Sequence, residues 1–300
     1  MHETDWITRY IAPLVTADGA AGLRDDVALL RTIGPTLATM DTLIECVHFL
    51  PDDPLDTIGQ KLLRVNVSDI HAKGAEPLEA LLSIAWPVDR DERAFELLMT
   101  GIGKDLQAFG ISLIGGDLVQ INGPLALTLT LTGRCIAKGP VRRDGGAPGD
   151  TLLINGEIGW GGLGLAAAKA GQDPETAARY RVPAISPIGA AKTVAELAAS
   201  SLDVSDGLLI DAMRLADASG CGADIRLDHV PLAAPSDQVG AILKQCTSGD
   251  DYRILISART DQPIPGFVAI GTLTETRGLA LTLAGAGVNT PSTLGFEHKG

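Results

Sequence analysis

One stretch, KGPVRRDGGAPGD at 138–150, does most to constrain this chain. It is dense in glycine, proline and charge, the composition at which one packed unit ends and another begins. A fresh apolar strand, TLLIN, follows at once. On both sides strand-like and helix-like segments alternate, so the class is α/β or mixed α+β. Domains are expected at 1–139 and 140–300.

In the first half, residues 4–16 read as a short helix. Val27–Ile33 and Thr36–Thr39 read as strands split by Gly34-Pro35. Beyond Pro54, the spacing of Ile58, Leu62 and Val65 predicts a helix ending near Gly74. LEALLSIAW reads as a strand. Asp89 with Glu92 resembles a capping box opening a helix that Gly110 closes. ISLIGGD is expected as a short buried strand running into a loop, and ALTLTLTGRC alternates as a half-exposed strand does. In the second half a glycine-rich loop, INGEIGWGGLGLA, should lead into an alanine-rich helix. Helices are expected at 174–181, 187–200 and near 235–245, and a further one from Leu208 to Gly220, after the strand end and turn SLDVSDG.

The formal charge of −13 disfavours nucleic acid and anionic membranes as partners. No run approaches the roughly 18 apolar residues of a spanning helix, and the N-terminus lacks a secretory pattern. Cys46, Cys135, Cys221 and Cys246 are scattered, as expected of reduced, mostly packed thiols in a cytoplasmic protein.

Several acids stand at strand ends beside small residues: Asp25-Asp26, Asp41, Asp69, Asp117, Asp203, Asp206 and Asp250-Asp251. Taken singly each has an ordinary reading. Asp206 suits an N-cap and Gly115-Gly116-Asp117 a turn. Asp69 is harder to place, because it shares a helix side with Asn66 and Lys73 among apolar neighbours. A salt bridge to Lys73, a long-range partner and metal ligation all remain open. Taken together, carboxylates on several loops suit Mg²⁺ bridging to a polyphosphate. Gly115-Gly116 and Gly161-Gly162 could bring backbone N–H groups close to phosphate. No Walker P-loop, kinase HRD or DFG set, zinc pattern or G-x-S-x-G elbow is present.

The motifs RDDVALL, MDTLIECVHF, KLLRVNVSDIHAKGAEP, LIGGD, PVRRDGGAPGD, LDVSDGLLID, SGDDYRIL and GFEH occur in that order. The set closely resembles the bacterial thiamine-monophosphate kinase family, of the superfamily that includes aminoimidazole ribonucleotide synthetase and selenophosphate synthetase. The resemblance implies a two-domain fold of mixed sheets with helices on one face. It also implies a homodimer through the N-terminal domains and ATP in a cleft between domains. The implied reaction is direct in-line transfer of the ATP γ-phosphoryl to thiamine monophosphate, with several Mg²⁺, the final step of thiamine diphosphate biosynthesis.

By motif, Asp26, Asp41, Asp69, Asp117, Asp203 and Asp206 would hold Mg²⁺, with Thr39 and the Met40 backbone contributing. Gly116, Asp117, Arg143 and Ser205 would contact the nucleotide, and His48, Asp250 and Phe296 the thiamine substrate. Asp26, Asp41, Asp69 and Asp117 would carry catalysis. The chain departs from the family pattern at Arg24, Met40, Asp250, Arg253 and Phe296. Among relatives, selenophosphate synthetase would want a reactive Cys near the N-terminus, and the hydrogenase-maturation relative would want a C-terminal Cys. Neither stands here.

Overall fold

The computed structural model describes residues 3–23, 28–30, 34–260 and 262–297. It divides into two compact units. The first holds residues 1–70 and 76–135, and the second holds 71–75 and 136–300.

The first unit begins with helix α1 (Glu3–Trp6), which passes into a π turn at Ile7–Ile11 and a 3₁₀ turn at Ala12–Leu14. The expected helix over 4–16 is therefore broken, with Pro13 at the start of the last turn. Strand β1 (Thr36–Ile44) is longer than expected and carries Asp41 inside it rather than after it. Of the expected strand at 27–33, residues 28–30 are irregular and the remainder lies outside the described residues.

Helix α2 (Leu55–Ala72), β2 (Ala75–Pro87), α3 (Glu92–Phe109), β3 (Ser112–Ile121) and β4 (Ala126–Cys135) complete this half. The sheet order is β1-β4-β2-β3, with β1 antiparallel to β4 and β2 parallel to β3. The N-cap of α3 is Asp91, two residues beyond the expected Asp89. Its side chain accepts the Ala94 N–H, and Gly110 closes the helix in the left-handed region. The segment expected to leave the sheet at Gly115–Asp117 stays in it. A Cβ on Gly116 would lie 1.8 Å from the Leu82 carbonyl oxygen, so glycine here permits the close approach of β2. Helices α2 and α3 cross closely for the same reason, since a Cβ on Gly101 would meet the Asp56 carbonyl oxygen at 1.9 Å. Trp6, Trp86 and Phe95 gather in one aromatic cluster, with ring centroids 4.5–5.9 Å apart.

The second unit contains β5 (Thr151–Ile154), α4 (Trp160–Ala170), α5 (Pro174–Arg181), α6 (Ile188–Leu197), β6 (Ser200–Val204), α7 (Leu208–Ala218), β7 (Gly222–Arg226), α8 (Val239–Cys246), β8 (Arg253–Ala258), β9 (Val268–Thr274), β10 (Gly278–Leu283) and β11 (Ala286–Val288). Its sheet runs β11-β10-β7-β9-β5-β8-β6. Alternation along β5 splits the core. Leu152 and Ile154 join Leu208, Leu209 and Ala212 of α7, while Leu153 joins Ile254, Ile256 and Val194 of α6. Helices thus cover both faces of this sheet.

Two expectations change here. The helix expected over 187–200 ends at Leu197, and Ser200 already begins β6. The expected glycine loop is largely helical, because Gly161 and Gly162 form the first turn of α4. Residues 71–75 pack in this unit. Ala72 lies in the Leu153 cluster, the Ser201 hydroxyl donates to the Ala72 carbonyl at 2.6 Å, and Lys73 Nζ donates to the Ser201 carbonyl.

Candidate functional site

In the first unit the sequence places Asp69 on α2, facing β1. Thr39 and Asp41 alternate onto one side of β1, with Met40 on the other. The Thr39 hydroxyl donates to Asp69 Oδ2 at 2.5 Å. Burial pushes the Asp41 carboxyl up to about 6, and the neighbouring charge of Asp69 adds to the rise. Two carboxylates and a hydroxyl in a half-buried setting form a hard-oxygen set that a divalent cation would neutralise. The site fits Mg²⁺ on that chemistry.

Met40 and Asp117 lie elsewhere. Met40 is 64% exposed, and Asp117, the strand partner of Ser83, is exposed as well. Both line a cavity of about 500 Å³ together with Leu81, Ser83, Thr128 and Thr130. Gly116 borders the same cavity. The structure thus sorts the proposed residues of this unit onto two faces of one sheet. Asp26 lies outside the described residues. His48 belongs to the turn after β1, where its Nδ1 accepts the Ile44 N–H at 3.0 Å, leaving the ring proton on Nε2. The buried Lys61 donates to the His48 carbonyl at 3.1 Å.

In the second unit, several expected residues meet at the end of β6. Asp203 is buried on that strand. The Asp250 N–H donates to the Ser205 carbonyl at 2.7 Å, the Tyr252 N–H to the Val204 carbonyl at 2.8 Å, and the Phe296 N–H to the Asp206 carbonyl at 2.8 Å. Asp250 holds a left-handed φ of +59°, and its Oδ1 accepts the Tyr252 hydroxyl at 2.8 Å. Phe296 stays half-exposed. Arg143 sits apart on exposed coil, its carbonyl accepting the Ser219 hydroxyl at 2.7 Å. Asp206 does not cap α7. Its carboxylate is ion-paired to Arg214.

Sequence reasoning missed one carboxylate of this region, Asp211, and gave Asp251 no role beyond its place among the loop acids. Asp211, 3% exposed, accepts the N–H groups of Ser205, Asp206 and Gly207 on its Oδ2 at 3.0–3.2 Å, and Arg214 on its Oδ1 at 2.9 Å. Asp251 accepts the N–H groups of Gly159 and Gly161 at 2.9–3.2 Å, which ties the start of α4 to the 249–251 loop. Burial pushes Asp251 up to about 7, against the pull of those two N–H groups. Gly161 is small for the same packing, since a Cβ there would lie 2.3 Å from the Gly249 carbonyl oxygen. The one sequence signal for Asp211 was an acid among Leu208, Leu209, Ile210 and Ala212.

Comparison with known proteins agrees with this architecture. The family described as AIR synthase related protein, N-terminal domain, matches residues 24–135, and the corresponding C-terminal domain matches 147–283. A thiamine-monophosphate kinase from Caulobacter vibrioides is 36% identical, over 99% of this chain and 90% of its own length. The crystal structure of thiamine-monophosphate kinase from Stenotrophomonas maltophilia K279a superposes with a TM-score of 0.80 at 27% identity, covering 96% of this chain and 98% of that one. A ThiL structure complexed with AMPPCP and TMP gives a TM-score of 0.76 at 27% identity, covering 85% of each chain. The chain therefore belongs to the AIR-synthase-related superfamily and, within it, to the bacterial thiamine-monophosphate kinase family.

Proposed function

We propose that this chain transfers the γ-phosphoryl group of ATP to thiamine monophosphate, giving thiamine diphosphate and ADP. Family membership and the AMPPCP and TMP complex of a relative support the reaction and both substrates. The observation in this chain that carries the reading is the Thr39–Asp41–Asp69 group. A half-buried carboxyl is driven to about 6 beside a second carboxylate, so the pair calls for a cation. Bound there, Mg²⁺ would offset the charge of the polyphosphate and of the acceptor phosphate.

The acceptor is already an anion, so direct in-line displacement requires positioning more than a strong general base. Asp26, Asp117, Asp203 and Asp206, with the Met40 carbonyl, are proposed for further Mg²⁺, Asp117 and Met40 on the sheet face opposite Asp41. Gly116, Asp117, Arg143 and Ser205 are assigned to the nucleotide. His48, Asp250 and Phe296 are assigned to the thiamine substrate. Phe296 offers an exposed ring, and Asp250 is held by the Ser205 carbonyl and the Tyr252 hydroxyl.

The proposal extends to a cytoplasmic homodimer with domains at 1–139 and 140–300. The exposed apolar sheet face of Met40, Leu81 and Val119 supports the dimer. Among the described residues no helix is long and apolar enough to cross a membrane. Incubation with Mg²⁺, ATP and thiamine monophosphate, each omitted in turn, should give thiamine diphosphate only in the complete mixture. Product without Mg²⁺, or none in the complete mixture, refutes the reading.

A further inference from the structure

Arg214 occupies a position that the proposed chemistry would give to a metal. Its NH1 bonds both Asp206 Oδ2 and Asp211 Oδ1. The two carboxylates it joins are unlike. Asp211 is buried, and its other oxygen is committed to three consecutive N–H groups of the 205–207 turn. The Asp206 side chain is about one-third exposed, and the Arg214 side chain that holds it is 37% exposed. One end of this bridge is therefore anchored and the other lies open to water.

We infer that Arg214 is a resident counter-cation for Asp206, anchored through Asp211, which yields that carboxylate when a divalent cation arrives. The inference rests on the metal-dependent kinase reading and adds a residue to it. The guanidinium offsets one unit of carboxylate charge at the turn before any ligand binds. A metal that takes Asp206 displaces one contact of Arg214 while the Asp211 contact persists. Arg214 is then a positioning residue that sets metal affinity, since every ion bound at Asp206 must first break an ion pair. A partly exposed pair is worth up to about 1 kcal/mol, which is about fivefold in affinity.

The test is Mn²⁺ binding to the full chain without nucleotide or thiamine substrate, read from the free-ion electron paramagnetic resonance signal. Arg214→Gln and Arg214→Met both remove the cation, and Met retains the apolar stem; far-ultraviolet circular dichroism identifies whichever variant folds. Tightening by about three- to fivefold is expected. In an Asp206→Asn background the same substitution should give no gain, because the contested carboxylate is gone. Unchanged affinity overturns the inference. So does an equal gain in the Asp206→Asn background, which would mean a diffuse field effect. Product formation by the unaltered protein is scored separately, so loss of the kinase reading and loss of this inference are distinguishable.

Discussion

Asp41 and Asp69 act as a pair, and the pair has a measurable consequence. The folded Asp41 carboxyl, at about 6, stands above the roughly 3.9 of an unfolded chain. Between those values the folded state binds more protons, so this group's contribution to stability falls as pH rises from about 4 to about 6. Asp41→Asn should flatten that slope in urea denaturation of the metal-free protein, raising stability at pH 7 by about 1–3 kcal/mol relative to wild type. The same substitution should cut thiamine diphosphate formation by about 10²–10³-fold, as loss of a preorganised electrostatic group does. Equal activity would remove Asp41 from the metal set. Both acids were singled out in the sequence, Asp41 as an acid after an expected strand and Asp69 as one on a helix side among apolar neighbours. Asp211 was not recognised. Three of its partners are backbone N–H groups of a turn, which no side-chain pattern announces, and the fourth is Arg214, three residues on.

Among the elements, regular patterns were read well and glycine was read poorly. The expected bounds of β4 and α5 agree with the structure, since strict alternation and an Asp-Pro start are strong local signals. The expected turn at Gly115-Gly116 is a strand, and the expected loop at Gly161-Gly162 is a helical turn. In both places glycine answers to a neighbour's backbone rather than to its own conformation. Gly101 tests the point. Alanine is the better helix former by about 1 kcal/mol, yet its Cβ would press on the Asp56 carbonyl where α2 and α3 cross. Gly101→Ala should therefore lower the melting temperature, with overpacking of about 1–3 kcal/mol outweighing the propensity gain. A rise in melting temperature would show that the crossing relaxes freely.

For the whole molecule, charge and exposed apolar surface carry separate information. In the proposed reading, part of the net charge of −13 lies in carboxylates whose counter-charge is imported as metal. The sheet face bearing Met40, Leu81 and Val119 is what a second copy would cover in the proposed dimer. Leu81→Glu should yield monomers in sedimentation while leaving the metal-free fold intact, because Leu81 is 40% exposed. Retained dimers would locate the interface elsewhere. The existence of two halves was visible in the glycine- and charge-rich stretch at 138–150. The assignment of 71–75 to the second unit was not, because no local pattern encodes which distant strand a short connector will join.

That connector bears on how the protein is made. Ala72 belongs to a cluster that reaches as far along the chain as Phe267, and Lys73 is held by the Ser201 carbonyl. The end of α2 leaves the ribosome long before those partners exist. This connector must therefore wait for its partners until the C-terminal strands have been synthesised. Long-range closures of this kind slow folding, and they make the nascent first half the stage at which a chaperone would matter most.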